Sequence, residues 1–254
     1  MTRRLALLPL AIIASLSMVI AACSSTPSAP PLTDPKEILT QAVVSLNTVK
    51  TLEFTGTFTG SIAAAQLGNF DLSTITMSGS LDIPNKKAKF NVDAPTLLGT
   101  KVDALLLDQT AYLKIAGPFA AVAHVQSDKY TKTTIPASSD NPTDVAKTVN
   151  DVKAALDKLP TPPVKDADEK CGDLDCYHVT LKLSAADLKT LDSTSTLNGD
   201  VTVDIWSRKI DYRPAKIVFG VTTTDLGTFS MTMEIKYDVS VSVDAPPADQ
   251  VVTP

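Results

Sequence analysis

The chain has 254 residues, with 23 Lys and Arg against 28 Asp and Glu and a formal net charge of −5. That balance excludes nucleic acid as the main partner, because phosphate binding is driven by a surplus or a clustered stripe of basic residues. Hydrophobic residues at 44% rule out a disordered chain, while aromatics are scarce at 5%, His number two and Cys number an odd three.

Residues 1–22 read as a secretory signal peptide. Arg3 and Arg4 form a positive n-region, Leu5 to Ile20 is almost unbroken apolar sequence, and Ala21 and Ala22 precede Cys23. The alternative, a membrane-spanning anchor, needs about 20 apolar residues and a flanking signal on the far side. Ile20-Ala21-Ala22-Cys23 has the form of a bacterial lipobox: small side chains admit the signal peptidase, and the Cys23 thiol is the atom that takes the lipid. Thr2-Arg3-Arg4 only faintly echoes a twin-arginine signal, so the general secretory route is preferred. Cleavage removes two basic residues and no acid, taking the charge from −5 to −7. An acidic body does not adhere to an anionic bilayer, so acyl chains such as palmitate, at about 0.8 kcal/mol per buried CH₂, are expected to do the tethering. The expected address is the outer face of the cytoplasmic membrane or another part of the cell envelope. With Cys23 lipidated, Cys171 and Cys176 remain as a pair in an oxidising compartment.

Residues 23–33 form a Ser/Pro tether that holds a domain of residues 34–254 off the membrane. Asp34 caps a helix with Pro35 at its first position and Glu37 at its third. Ile38, Leu39, Ala42, Val43, Leu46 and Val49 follow at helical spacing, which predicts one amphipathic helix over 34–49. From Thr51 the period changes to 2: Leu52, Phe54, Phe58 and Ile62 share a face with Gly56 and Gly60, and Glu53, Thr55 and Thr57 take the other. Alternation recurs in Phe70 to Ile83, in Ala88 to Val92, and in Val102 to Leu106 and Tyr112 to Ile115 around a turn at Asp108-Gln109-Thr110. A short strand is expected at Tyr130 to Ile135. A second helix begins near Pro142, carries Val145, Val149, Val152 and Leu156 on one stripe and stops at Pro160. After a strand at Tyr177 to Leu183, Ser184 with Asp187 caps a short helix over 185–191, and strands at Val201 to Trp206, Pro214 to Thr223 and Thr228 to Val243 follow. The result is one α+β domain of about ten strands, with helices collected on one face of a large antiparallel sheet.

In several places the chain resembles the LppX/LprAFG lipoproteins, whose broader relatives include the LolA and LolB carriers. The resemblance lies in the lipobox and tether, in the opening helix Asp34-Pro35-Lys36-Glu37-Ile38-Leu39, and in the hairpin Leu106-Leu107-Asp108-Gln109-Thr110-Ala111-Tyr112-Leu113. It continues in Val203-Asp204-Ile205-Trp206 ahead of Arg213-Pro214, and in the ending Asp244-Ala245-Pro246-Pro247. It implies a single curved antiparallel sheet, a U-shaped half-barrel with helices on its concave face, enclosing an apolar cavity for acyl chains. It further implies carriage or presentation of a lipid or glycolipid within the envelope, with an envelope transporter as a candidate partner and a monomeric chain. On that reading the cavity-facing candidates are Leu39, Val43 and Leu46, then Val149, Val152 and Leu156, and from the sheet Phe54, Phe58, Val203, Ile205, Ile217 and Phe219. Gly56, Gly60 and Gly79 would permit sheet bending, yet apolar faces make solid cores in most proteins. A solid domain that docks an envelope protein is therefore the competing class, followed by a hydrolase with an unrecognised site.

Catalytic motifs are not found: there is no nucleophile elbow, HExxH, Walker loop or EF-hand loop. No enzyme activity, cofactor or metal is expected. His124 and His178 have no nucleophile or paired acid beside them in sequence and read as surface or turn residues. Cys171 to His178 offers two thiolates and an imidazole, but zinc wants a fourth ligand, so a disulfide closing a short loop is preferred. Asp166, Asp168, Glu169, Asp173 and Asp175 lack the spacing of a calcium loop and read as a solvated acidic segment.

Overall fold

Alternating side chains turn long stretches of the chain into strands, and short turns make consecutive strands antiparallel neighbours. The computed structural model describes residues 31–64, 68–122, 125–136, 143–225 and 227–253. The leader, Cys23, the tether as far as Pro30, His124 and Pro142 lie outside the described residues.

Among the described residues, fourteen strands share one sheet. Their ranges are β1 Thr51–Ala64, β2 Gly68–Asp71, β3 Thr76–Asp82, β4 Lys87–Ala94, β5 Thr100–Leu107, β6 Thr110–Ala116 and β7 Tyr130–Thr134. The second half holds β8 Val164–Lys165, β9 Glu169–Cys171, β10 Leu174–Leu183, β11 Gly199–Arg208, β12 Pro214–Thr223, β13 Gly227–Tyr237 and β14 Val251–Val252. In space the order is β14-β7-β6-β5-β4-β3-β1-β13-β12-β11-β10-β8, with β2 on β1 and β9 on β10. The end strands β14 and β8 do not meet, so the sheet is open. All the pairings are antiparallel apart from β14 on β7. Two meanders, β3 to β7 and β10 to β13, are joined where β1 pairs with both β3 and β13.

Among the described residues the α-helices are few: α1 Pro35–Ser45, α2 Phe119–Val122, α3 Val145–Asp157 and α4 Ala185–Leu191. The expected caps form. The Asp34 carboxylate accepts from the Lys36 amide at 2.9 Å, and Ser184 and Asp187 close a reciprocal capping box. Asp144 caps α3 by accepting from the Lys147 amide at 3.0 Å. Helix α1 buries Ile38, Leu39 and Ala42 and packs on β10 and β11, while α3 packs on α1.

Three boundaries and the strand count differ from the sequence reading. The first helix ends at Ser45 and tightens to a 3₁₀ turn over Leu46–Thr48. The expected strand Phe70 to Ile83 is two strands, because Leu72 and Ile75 fold into a turn whose side chains are buried with Ala94. The last long strand stops at Tyr237, where Asp238 takes φ +56°, rather than running to Val243. Fourteen strands replace about ten, since β2, β8, β9 and β14 span only two to four residues each and are too short to show a period.

Two of the three strand glycines do something other than bend the sheet. A Cβ on Gly79 would meet the Phe54 ring at 2.3 Å, and one on Gly56 would meet the Met77 side chain at 2.4 Å. Each is a seat for a neighbouring side chain. Gly60 alone of the three is left-handed, at φ +92°, and it marks the point where β1 leaves β3 and takes β2 as its partner.

Candidate functional site

Strand register sorts the side chains into two faces of opposite character. Across the sheet, Leu113, Ala104, Phe90, Gly79, Phe54 and Ile235 form one row on one face. Gly56, Met233, Ile217, Ile205 and Val179 form the next row, and Phe58, Met231, Phe219, Val203 and Leu181 another. The opposite face carries Thr55, Thr57, Asn91, Asp103, Lys114, Thr232, Glu234, Asp204 and His178.

The apolar face is covered unevenly. On β10, Tyr177, Val179 and Leu181 are buried, Val179 completely. The polar face of these strands is occupied by the segment from Asp166 to the start of β9, where Asp166 meets Thr180 and Glu169 meets Trp206. Helix α1, which packs on β10 and β11, therefore lies over the apolar face, where its Ile38-Leu39-Ala42 stripe finds an apolar surface. At one rim the face is closed by Leu72, Ile75 and Ala94, against which Phe58, Ile62, Val92 and Phe229 pack. Between these two covers, Phe54, Val203, Ile205, Ile217 and Phe219 are only partly buried, as are Phe90, Met231, Met233 and Ile235. Phe54 and Phe90 face each other at 6.2 Å between ring centres.

The candidate cavity residues thus divide. Leu39 and Val149 are buried in the helical layer, and Val43, Leu46 and Leu156 are partly buried. Val152 stands 39% exposed, off the buried side of α3. Phe58 belongs to the packed rim, and the remaining sheet candidates share the partly covered face with the two methionines and Phe90, which sequence reading passed over. The register signal that places those three was available only once strand pairing was known.

A separate groove of about 610 Å³ lies over one end of β10 to β13 beside the start of α4. Two rows of its lining, Lys182-Thr202-Gly220-Ser230 and Asp200-Thr222-Thr228, belong to the polar face. None of the candidate cavity residues lines it.

Cys171 and Cys176 form the expected disulfide, with Cα atoms 5.9 Å apart. His178 is not a surface or turn residue: it sits inside β10, its side chain 13% exposed and stacked on Trp206 at 4.1 Å. The acidic segment is also partnered rather than simply solvated. Burial works to raise the Asp168 carboxyl, but Lys165 and Lys209, each at 2.6 Å, hold it below the usual carboxylate range. Asp166, His178 and Asp204 come together with ligand-capable atoms within 4.8 Å of one another. At the far end of the sheet, the Asp103 carboxylate beside Lys114 holds that ammonium above its ordinary value. Burial pushes the Tyr237 phenol far above its own, while its hydroxyl donates to the Pro214 carbonyl at 2.7 Å.

The chain has the LprF fold. LprF from Mycobacterium bovis matches with a TM-score of 0.53 at 11% sequence identity, over 84% of this chain and 96% of that one. The Mycobacterium tuberculosis lipoprotein LppX is also similar, with a TM-score of 0.47 at 13% identity, over 83% and 98% of the two chains. No family model and no curated protein matches the sequence. The likeness to LprF bears on the fold, an open and mostly antiparallel half-barrel sheet with few helices. No helix among the described residues is long and apolar enough to cross a membrane.

Proposed function

We propose that this chain is a lipoprotein of the LppX/LprAFG type, acylated on Cys23, that takes the acyl chains of a lipid or glycolipid against the apolar face of its sheet and carries or presents them within the cell envelope. One observation carries the reading. Large apolar side chains on β1, β11, β12 and β13 stay partly exposed on the face that the neighbouring strand β10 buries under α1. Soluble proteins rarely leave a contiguous apolar patch bare unless something binds there. Apolar burial is non-directional, which suits a carrier that must both accept and release its cargo. The lipobox at Ile20 to Cys23 and the acidic body support an acyl anchor rather than adhesion by charge. No catalytic role is proposed.

The test is native mass spectrometry and organic extraction of residues 24–254 purified without acylation. A stoichiometric lipid supports the carrier. A chain that stays lipid-free, and takes none up from vesicles, overturns it in favour of a module that docks an envelope protein.

A further inference from the structure

The polar face carries a second constellation, independent of lipid. We propose that Asp166, His178 and Asp204, with the Thr180 hydroxyl, form a binding site for one divalent transition-metal ion of the zinc type. His178 and Thr180 are alternate residues of β10, so their side chains leave the same face, and Asp204 is the direct cross-strand partner of Thr180 on β11. Asp166 follows β8, and its amide donates to the His178 carbonyl at 3.0 Å, so ladder bonds hold all three segments in place.

The side chains converge with too few hydrogens among them. The Thr180 oxygen lies 2.6 Å from a carboxylate oxygen of Asp166 and 2.6 Å from one of Asp204, and a hydroxyl has a single proton to give. His178 Nε2 is 3.2 Å from the same Asp204 oxygen and 4.0 Å from Asp166. A cation among these atoms turns lone pairs that oppose one another into ligands. Two carboxylate oxygens and an imidazole nitrogen within 4.8 Å of one another, with a hydroxyl oxygen 2.6 Å from each carboxylate, suit the short bonds of about 2.0–2.2 Å and the mixed N/O preference of zinc. The imidazole argues against calcium and magnesium, which take oxygen ligands.

The other side of the ring is prepared for the same role. His178 Nδ1 is buried, makes no hydrogen bond of good geometry and faces Glu169 Oε1 at 3.5 Å. The other Glu169 oxygen accepts from Trp206 Nε1 at 2.9 Å, and Trp206 stacks on the imidazole. A carboxylate beside the non-ligating nitrogen fixes the tautomer that aims the Nε2 lone pair at a metal. A bound ion would clasp the disulfide-bearing segment between β8 and β10 onto the edge of the sheet.

The test uses the full chain without a histidine tag, stripped with chelator and titrated with zinc chloride by calorimetry. One zinc per chain is expected, weakened at least about tenfold in Asp166→Asn and in His178→Gln and by about 10–100-fold in Glu169→Gln. Asp168→Asn, whose carboxylate is paired with Lys165 and Lys209 outside the cluster, keeps wild-type binding. If the variants fail to fold, imidazole NMR of the wild type decides, because the chain has only two His. Zinc should shift the His178 ring signals and leave those of His124 in place. Absence of zinc binding by the wild type, binding that survives Asp166→Asn, or an unmoved His178 ring each overturns the site and leaves the Thr180 hydroxyl as a hydrogen-bond donor between the two carboxylates in its stead.

Discussion

Strand β10 and the strands β1, β12 and β13 belong to one sheet and carry the same kind of apolar row, yet they live in different surroundings. On β10, Val179 is fully buried beneath the helical layer while Thr180, pointing the other way, is buried under the segment after β8. On the central strands, Phe54, Ile217, Phe219 and Met233 point to the same side as Val179 and remain partly open. Apolar character does not account for the contrast, because β10 offers Tyr, Val and Leu and the central strands offer Phe, Ile and Met, large apolar side chains in both cases. What differs is cover: α1 is eleven residues long and reaches β10 and β11. A helix of that length spans roughly 16 Å, too little to shield a sheet whose strands lie about 4.8 Å apart.

Leu39→Ala gives the largest expected effect, because it removes a buried knob from the place where α1 and the sheet close on each other. A loss of about 2–5 kcal/mol is expected by urea denaturation, and a loss near zero would mean that the helical layer is not the core. Gly79→Val comes next. Its side chain would overlap the Phe54 ring and the Lys89 carbonyl, so about 1–3 kcal/mol should be lost, together with lipid capacity as Phe54 is driven off its seat. Phe219→Ala sharpens the contrast most directly. It deletes more atoms than Leu39→Ala, but from a partly open face, so about 1–2 kcal/mol is expected from area alone, with a clear fall in lipid uptake. A loss as large as that of a core Phe would show that the face is packed solid and would defeat the carrier reading.

Much of this layout was legible in local sequence. Caps at Asp34 and Ser184 and the alternation of β1, β4 to β6 and β10 to β13 are set by neighbours a few residues apart, and period and polarity record them directly. The break inside Phe70 to Ile83 was also written there, as a switch of apolar positions from even (Phe70, Leu72) to odd (Ile75, Met77, Leu81), but two buried turn residues disguised it as continuous strand. The helix stripe misled at Val152, since spacing assigns a side to a residue without saying how far the partner surface extends. The His178 cluster had no local signature at all. His178 and Asp204 are 26 residues apart and meet only through the register of β10 on β11.

Tyr237 closes the open region at its other rim and yields the smallest effect, one that depends on pH. Its hydroxyl donates to the Pro214 carbonyl at 2.7 Å, and the Arg208 and Arg213 guanidiniums lie over its ring at 5.1 and 5.4 Å. Burial outweighs both cations and raises the phenol in the folded state above its unfolded value of about 10. A group raised on folding contributes stability that is fully present below the unfolded value and is lost as pH climbs beyond it, because the unfolded chain gives up its proton first. At pH 8, Tyr237→Phe should therefore cost about 0.5–1.5 kcal/mol, the worth of one hydrogen bond. Above pH 10 the wild type alone surrenders this contribution, at up to about 1.4 kcal/mol per pH unit, so the two denaturation midpoints should converge near pH 11. Midpoints that stay parallel from pH 8 to 11 would mean that Tyr237 ionises as freely folded as unfolded, and that solvent reaches this rim of the apolar face.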